Sequence, residues 1–249
     1  MLAYFSAALT YLGYVDQGRA RRHEAESLAR QTGHAYTMAC ALSWAAIGNC
    51  VAGLPGETKR LSEEAVALSI EHGFPTWEGV GKILLGWALT ELTTAPEGLG
   101  VITEGLSIYR GVYNDYMGLW LRLHAEVHAR LESPIEALTC LDEAQRFVET
   151  MDERRDEAEL NRLRGDLLVS AGDKGAAEQC YHQALAIARR QSVKLFELRA
   201  ATSLARLWRA QGKRTEARDL LAPIYNWFTE GFDTPFLKEA KILQDELTT

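Results

Sequence analysis

The chain carries two histidines with the four-residue spacing of metal-binding helices. His124 and His128 would lie on one face of a helix, with Glu126 between them. The sequence HAEVH lacks the glutamate that directly follows the first histidine in the HExxH motif. The spacing reveals no third ligand, so we expect both histidines to pack against a partner helix and to hold no metal.

Other sequence motifs that could indicate a catalytic or nucleotide-binding site are incomplete. The string Gly79-Val80-Gly81-Lys82 lacks the GxxxxGK[ST] spacing of a phosphate loop, and it falls inside a predicted helix rather than after a strand. No serine–histidine–aspartate or cysteine–histidine arrangement stands out beyond chance co-occurrence. We therefore expect a chain that is not an enzyme and needs no cofactor.

Basic residues are concentrated in the C-terminal part. Between residues 189 and 218 there are nine Lys/Arg and two Asp/Glu, within a chain of formal net charge -7. Guanidinium groups bind carboxylates through forked hydrogen bonds. Arg199, Arg206 and Arg209, with Arg162, are therefore candidates for holding an acidic peptide or a carboxylate. The alternative is that they pair with carboxylates of neighbouring repeats or lie in solvent.

The elements that must position these side chains are helical hairpins. The stretch Leu163–Arg190 predicts two helices, with apolar residues three and four apart, joined at Gly172. Five further stretches repeat this pattern and predict an all-α solenoid. The period fits HEAT and armadillo repeats, but the internal spacing of small residues favours a superhelix like that of tetratricopeptide (TPR) repeats. One recurring small residue is found 40, 40, 39, 40 and 40 residues apart: Ser6, Ala46, Gly86, Ala125, Gly165 and Ala205.

The repeats also predict the domain limits. Residues 1–232 form six TPR-like repeats of about 40 residues, and residues 233–249 form a C-terminal capping helix with a charged outer face. The first predicted helix begins with the apolar residues Leu2, Tyr4 and Phe5, and no polar capping helix precedes it in this sequence. We therefore expect a longer natural protein or ancestral gene, and self-association through the N-terminal repeat.

In a TPR superhelix the first helix of each hairpin lines the concave face. The groove positions of these repeats change from apolar to charged along the chain, and we expect them to bind a protein or peptide partner, possibly an acidic one. Trp87 and Ile47 would hold the apolar part of that partner. The predicted groove residues are Ile47, Trp87, Arg122, Glu126, Arg162, Arg199, Arg206 and Arg209.

Composition and charge exclude several classes of protein. The acidic net charge of -7 argues against direct nucleic-acid binding. The sequence has no apolar run of membrane-spanning length and no signal-peptide pattern at its start. The 4 cysteines lack CxxC spacing and fall inside helical patterns, which suits buried thiols in a reducing compartment. We expect a cytoplasmic protein without a membrane partner.

The last repeat is the most specific stretch. The segment Glu197–Leu247 resembles the C-terminal end of a bacterial family that joins a class III adenylate/guanylate cyclase domain, an AAA-type ATPase module and a TPR-like tail. The segment Glu157–Asp173 is similar to the preceding repeat of those tails, and related tails occur on ATPase-linked transcriptional regulators. The sequence departs from them at Arg154-Arg155-Asp156, where such tails often carry an aromatic residue.

The resemblance implies a regulatory tail rather than a cyclase, because this sequence has no counterpart of the catalytic part. Two functions follow. The first is a non-catalytic module that binds a peptide or a partner domain in its groove. The second is a small-molecule-sensing domain of an ATPase-linked regulator. A preformed pocket with a few convergent polar groups would favour the second function, and a flat, open, charged groove would favour the first.

Overall fold

The computed structural model describes residues 1–94, 96–113 and 115–248, and these residues are helical without any strand. The all-α fold class predicted from the sequence is confirmed. Helices pack in consecutive antiparallel pairs, so that six hairpins follow one another and a thirteenth helix ends the described chain. The helices are α1 Leu2–Tyr11, α2 Val15–Thr32, α3 Ala35–Val51, α4 Pro55–His72, α5 Pro75–Thr93, α6 Glu97–Arg110, α7 Met117–Arg130, α8 Pro134–Met151, α9 Glu157–Ser170, α10 Lys174–Gln191, α11 Lys194–Ala210, α12 Arg214–Tyr225 and α13 Pro235–Thr248.

Local sequence signals set the helix ends. Gly33 and Gly73 end α2 and α4 in the left-handed conformation, with φ of 63° and 68°, which glycine adopts without strain. Pro55, Pro75 and Pro134 occupy the first turns of α4, α5 and α8, where no backbone N–H is needed for the helix ladder. The hairpin boundaries are therefore encoded locally.

Small residues let the paired helices approach closely. At Gly86 in α5, an added Cβ would lie 2.5 Å from the backbone nitrogen of Ile102 and 2.6 Å from the carbonyl oxygen of Gly98, both in α6. At Gly165 in α9, a Cβ would meet the ring of Tyr181 at 2.5 Å. Two of the recurring small residues thus lie where the two helices of their hairpins come into close contact.

The first hairpin of the superhelix contacts the segment that precedes α13. The Glu230 carboxylate accepts hydrogen bonds from the backbone N–H groups of Asp16 and Gln17, at 3.0 and 3.1 Å, in the first turn of α2. The Asp16 carboxylate in turn accepts from the backbone N–H of Gly231 at 3.0 Å. Arg19 pairs with Asp233 at 2.9 Å. We call this contact between residues 16–19 and 230–233 the clasp.

The odd-numbered helices form the inner layer, and the first of them contacts α11 across the concave side. Tyr11 of α1 packs edge-to-face on Phe196 of α11, with ring centroids 5.3 Å apart. The first helix therefore buries one face against the end of the superhelix, although Tyr4 and Phe5 remain exposed. No helix of the described residues combines the length and apolar character that a bilayer crossing requires.

Candidate functional site

A cavity of about 570 Å³ opens on the concave face. Its walls come from α5, α7, α9 and α11, and the first turn of α13 closes one side. Trp87, Glu126, Arg162 and Arg199 line the cavity, as does Phe236. Four residues predicted for the groove, each from a different repeat, are therefore brought together here.

Glu126 lies at the centre of the cavity wall. Its carboxylate accepts hydrogen bonds from the indole Nε1 of Trp87 at 2.9 Å and from Nη1 of Arg122 at 2.7 Å. The guanidinium groups of Arg162 and Arg199 lie 3.9 and 3.8 Å away. Burial opposes ionisation of Glu126, but these cations and the indole outweigh it and hold the pKa of the carboxyl below its usual value.

A second carboxylate, Glu159 of α9, supports the two arginines from beneath. It is fully buried and accepts from Nε of Arg162 at 3.0 Å, while Nη1 of Arg199 lies 2.8 Å from it. Arg162 also makes a short contact with Asp166 one turn later. Carboxylates of their own and neighbouring helices thus orient Arg162 and Arg199. This arrangement agrees with the alternative hypothesis that the arginines pair with carboxylates of neighbouring repeats.

Arg122 lies below the cavity rather than in it. Its side chain is 2% exposed and donates from Nε to Asp156 at 2.9 Å, in addition to its bond with Glu126. Asp156 is fully buried, and its Oδ2 has no hydrogen-bond partner among the described residues. Burial raises the pKa of Asp156, with Arg122 and Arg155 opposing the shift. Arg122 therefore joins a buried carboxylate, Asp156, to a partly buried one, Glu126, from a different repeat.

The cavity mouth carries charged groups with spare bonding capacity. Arg130 is half-exposed, and its Nη2 lies 3.7 Å from Glu91. Burial and the nearby Glu126 raise the pKa of Glu91, although Arg130 opposes the shift. On the opposite wall, Asp166 accepts a hydrogen bond from the hydroxyl of Tyr181 at 2.7 Å. Both signs of charge are available to a ligand at the mouth.

Phe236, in the first turn of α13, closes the side of the cavity. The guanidinium carbon of Arg199 lies 4.2 Å from the centroid of its ring, which is a cation–π contact. The other edge of the ring lies over Gly53 in the turn between α3 and α4, where an added Cβ would be 2.7 Å from it. A glycine is required at this turn both by its φ of 75° and by this close approach.

The remaining predicted groove residues lie elsewhere. Arg206 and Arg209 face α13 and form short ion pairs with Glu239 and Glu246, so the chain's own C-terminal helix supplies the carboxylates. Ile47 is buried and lines a separate cleft of about 190 Å³ with Trp77 and other aromatic residues. The structure thus divides the predicted groove into a central cavity, an arginine row under α13 and an aromatic cleft.

Sequence reasoning missed Phe236 and Asp156. Phe236 was counted as part of a terminal cap, and no local pattern indicates that α13 reaches Gly53. Asp156 directly precedes α9, and no repeat position predicted a buried carboxylate there. The signal that could have predicted Asp156 is the presence of Arg122. An arginine at a core-facing helix position needs a carboxylate partner in the interior.

The fold and the cavity define an all-α superhelix of helical hairpins with an open pocket of mixed polar and apolar lining on its concave face. No protein-family model matches the chain, and a search of curated proteins finds no match. A proposal of function therefore rests on the residues that line the cavity.

Glu153, a partly buried carboxyl near Asp156, predicts how the stability of the fold changes with pH. Burial, followed by the nearby Asp156, raises the pKa of Glu153 to about 7, although Arg155 opposes the shift. The folded state therefore favours protonated Glu153 more than the unfolded state does. Its stabilising protonated form is fully present below the unfolded pKa of 4.5 and is lost as the pH rises through about 7.

We expect Glu153→Gln to be about 2 kcal/mol more stable than the wild type at pH 8, and nearly equal to it at pH 4.5. Urea unfolding at both pH values measures this difference. Glu149→Gln, a change at an exposed position of α8, is the control and should leave the pH dependence unchanged. Equal stability of Glu153→Gln and wild type at pH 8 would show that Glu153 is not destabilised by ionisation.

Proposed function

We propose that the protein is a non-catalytic regulatory module that binds a small molecule in the concave cavity. The observation that carries the proposal is the convergence of Trp87, Glu126, Arg162, Arg199 and Phe236 around about 570 Å³. Small-molecule sites in proteins occupy about 300–1,000 Å³ and combine apolar walls with a few well-placed polar groups. The cavity meets both conditions.

The closure of the superhelix favours a small ligand over an extended peptide. The clasp joins the first hairpin to the segment before α13, and Phe236 lies across the path that a peptide would follow along the inner helices. Arg206 and Arg209, which were expected to hold an acidic peptide, are engaged by Glu239 and Glu246. An acidic peptide would have to displace α13 before it reached them.

The charges at the mouth suggest the class of ligand. Arg130 is half-exposed and Arg199 faces the cavity, so a ligand carboxylate can be placed between them. Glu91 and Asp166 line the same cavity and can accept hydrogen bonds from an ammonium group. The indole of Trp87 and the ring of Phe236 supply apolar walls. These groups fit a small zwitterion, such as an amino acid or a dipeptide.

The position of Phe236 links binding to a possible output. A ligand that contacts Phe236 would stabilise the docked position of α13, because the ligand binds only when that wall is present. The resemblance of Glu197–Leu247 to tails of cyclase/ATPase proteins and ATPase-linked regulators supports a signalling context. We therefore place the module in a signalling protein in which occupancy of the cavity controls the docking of α13.

Thermal unfolding with a panel of amino acids and dipeptides, followed by calorimetric titration of the best compound, tests this function. We expect at least one zwitterion to raise Tm and to bind with a stoichiometry of one. Ala129→Phe should fill the cavity and weaken binding at least tenfold, because Ala129 lines it. Ala186→Phe, the same change at an exposed position of α10, is the matched control.

A poly-glutamate peptide tests the alternative partner in the same assay. Binding of this peptide that is lost in an Arg206→Glu, Arg209→Glu variant, together with the absence of any zwitterion binding, would overturn the small-molecule proposal in favour of a peptide groove. Equal binding of the zwitterion to Ala129→Phe and Ala186→Phe would place the ligand outside the cavity.

A further inference from the structure

A second cluster of candidate ligands lies between the two helices of the fourth hairpin, away from the cavity. His124 and His128 project from α7, and Cys140 projects from the facing helix α8. One ligand atom of each residue lies within 4.8 Å of the others. The sequence pattern shows no third ligand beside the two histidines, because the third candidate is 12 residues further on, on the facing helix.

The distance between two of the three ligand atoms already suits a tetrahedral ion. Sγ of Cys140 lies 3.5 Å from Nδ1 of His124. Zinc binds sulfur at about 2.3 Å and imidazole nitrogen at about 2.0–2.1 Å, and a tetrahedral angle between these bonds requires an S···N separation of about 3.6 Å. The rings of His124 and His128 have centroids 4.6 Å apart, so both imidazoles border the same space.

The far side of His124 is oriented as in metal sites. Its Nε2 lies 3.5 Å from the hydroxyl oxygen of Thr103 in α6, and that hydroxyl donates to the carbonyl of Leu99 at 2.7 Å. A ligating histidine usually donates its second ring N–H to such an oxygen, which leaves the lone pair of the first nitrogen for the ion. In the tautomer that carries the proton on Nε2, Nε2–H points at Thr103 and the lone pair of Nδ1 faces Cys140.

His128 supplies an independent observation. Its Nδ1 is shielded from solvent and has no hydrogen-bond partner among the described residues. Buried polar atoms normally have a partner, and an exception calls for a bound water, an ion or a functional role. A metal ion between α7 and α8 would give the His128 imidazole an interaction partner.

The next repeat shows that packing alone does not require these residues. Cys180 occupies the position equivalent to Cys140, forty residues later, and Arg164 and Leu168 occupy the positions equivalent to the two histidines. Cys180 is buried at its hairpin interface like Cys140, without a histidine in these places. The hairpin therefore folds with other residues, and the fourth repeat carries a full set of soft and borderline ligands.

We propose that His124, His128 and Cys140 bind one borderline divalent ion, of which Zn²⁺ is the best fit, with water as the fourth ligand. Thiolate and imidazole donors select Zn²⁺ over the oxygen-seeking Mg²⁺ and Ca²⁺. On coordination the Cys140 sulfur exchanges its proton for the ion, and the proton goes to solvent. The ion would join α7 to α8, independently of the ligand cavity on the other side of α7.

Titration of the full, reduced and chelator-treated chain with Co²⁺ and then Zn²⁺ tests the proposal. We expect one Co²⁺ per chain, with thiolate-to-cobalt charge-transfer absorption and the visible bands of a tetrahedral ion, and displacement by one Zn²⁺. Cys140→Ser should abolish the charge-transfer band and weaken Zn²⁺ binding at least tenfold. His124→Ala should also weaken binding at least tenfold, whereas Cys180→Ser, the matched cysteine control, should bind as the wild type does.

Thermal unfolding in the presence of chelator first establishes that each variant folds. A charge-transfer band that survives in Cys140→Ser and is lost in Cys180→Ser would place the ion elsewhere. Zn²⁺ affinity that is the same in wild type, Cys140→Ser and His124→Ala would overturn the site. Zn²⁺ should raise the Tm of the wild type and not that of Cys140→Ser, because only a folded hairpin brings the three ligands together.

Discussion

Replacing Arg122 with methionine is expected to destabilise the fold by about 3–5 kcal/mol, the cost of removing one partner from a buried ion pair. Arg122 is 2% exposed and bonds two carboxylates, Glu126 at 2.7 Å and Asp156 at 2.9 Å. Methionine fills much of the same volume, so the loss would come from the charges. Asp156 is fully buried and would keep only Arg155 as a nearby cation.

Urea unfolding at pH 7 measures the loss, and Arg130→Met is its control because Arg130 is half-exposed at the end of the same helix. The control should change stability by less than about 1 kcal/mol, as exposed pairs do. The deficit of Arg122→Met should shrink as the pH falls, because the orphaned carboxyls then bind protons in the folded state. A loss under about 1 kcal/mol would show that the other arginines compensate fully for Arg122.

Replacing Gly86 with leucine is the other large change, and we expect it to cost about 3 kcal/mol or to prevent stable folding. The first atom of any side chain there would lie 2.5 Å from the nitrogen of Ile102 and 2.6 Å from the oxygen of Gly98. These are backbone atoms, so no side-chain rotation can relieve the overlap. Helices α5 and α6 would have to separate along their whole contact.

A matched control lies on the facing helix. Gly100 in α6 has no atom within 4 Å of its hypothetical Cβ, so leucine there meets only solvent. Gly100→Leu should leave stability unchanged or raise it by about 0.5–1 kcal/mol, since glycine is a poor helix former. Thermal unfolding of the two variants measures the difference, and equal melting temperatures would show that the close contact at Gly86 is easily relaxed.

The sequence predicts the hairpins well because their determinants are local. The register that marked Gly86 and Gly165 as small positions follows from residues in one helix pair, and both lie at tight crossings. The same register brought Trp87, Glu126 and Arg162 from three repeats to one cavity. A regular repeat therefore predicts both the layer in which a residue lies and its neighbours in the next hairpin.

The closure of the superhelix could not be predicted in this way. Whether residue 230 reaches residue 16 depends on the small rotation between successive hairpins, summed over all of them, and no single residue encodes that sum. Glu230, Asp233 and Phe236 therefore carried no sequence signal of their contacts with the first two hairpins. The same uncertainty explains why the arginines Arg206 and Arg209 were expected to face a foreign ligand rather than α13.

The clasp changes how the molecule should unfold. An open array of repeats behaves as a one-dimensional system, in which the terminal repeats fray first and the array loosens progressively from its ends. Hydrogen bonds between residues separated by 214 positions tie the two ends to each other. Fraying at either end then loses contacts at both ends, so we expect one cooperative transition. That cooperativity has a kinetic cost, because contacts of such long sequence separation form late and slow the search for the native state.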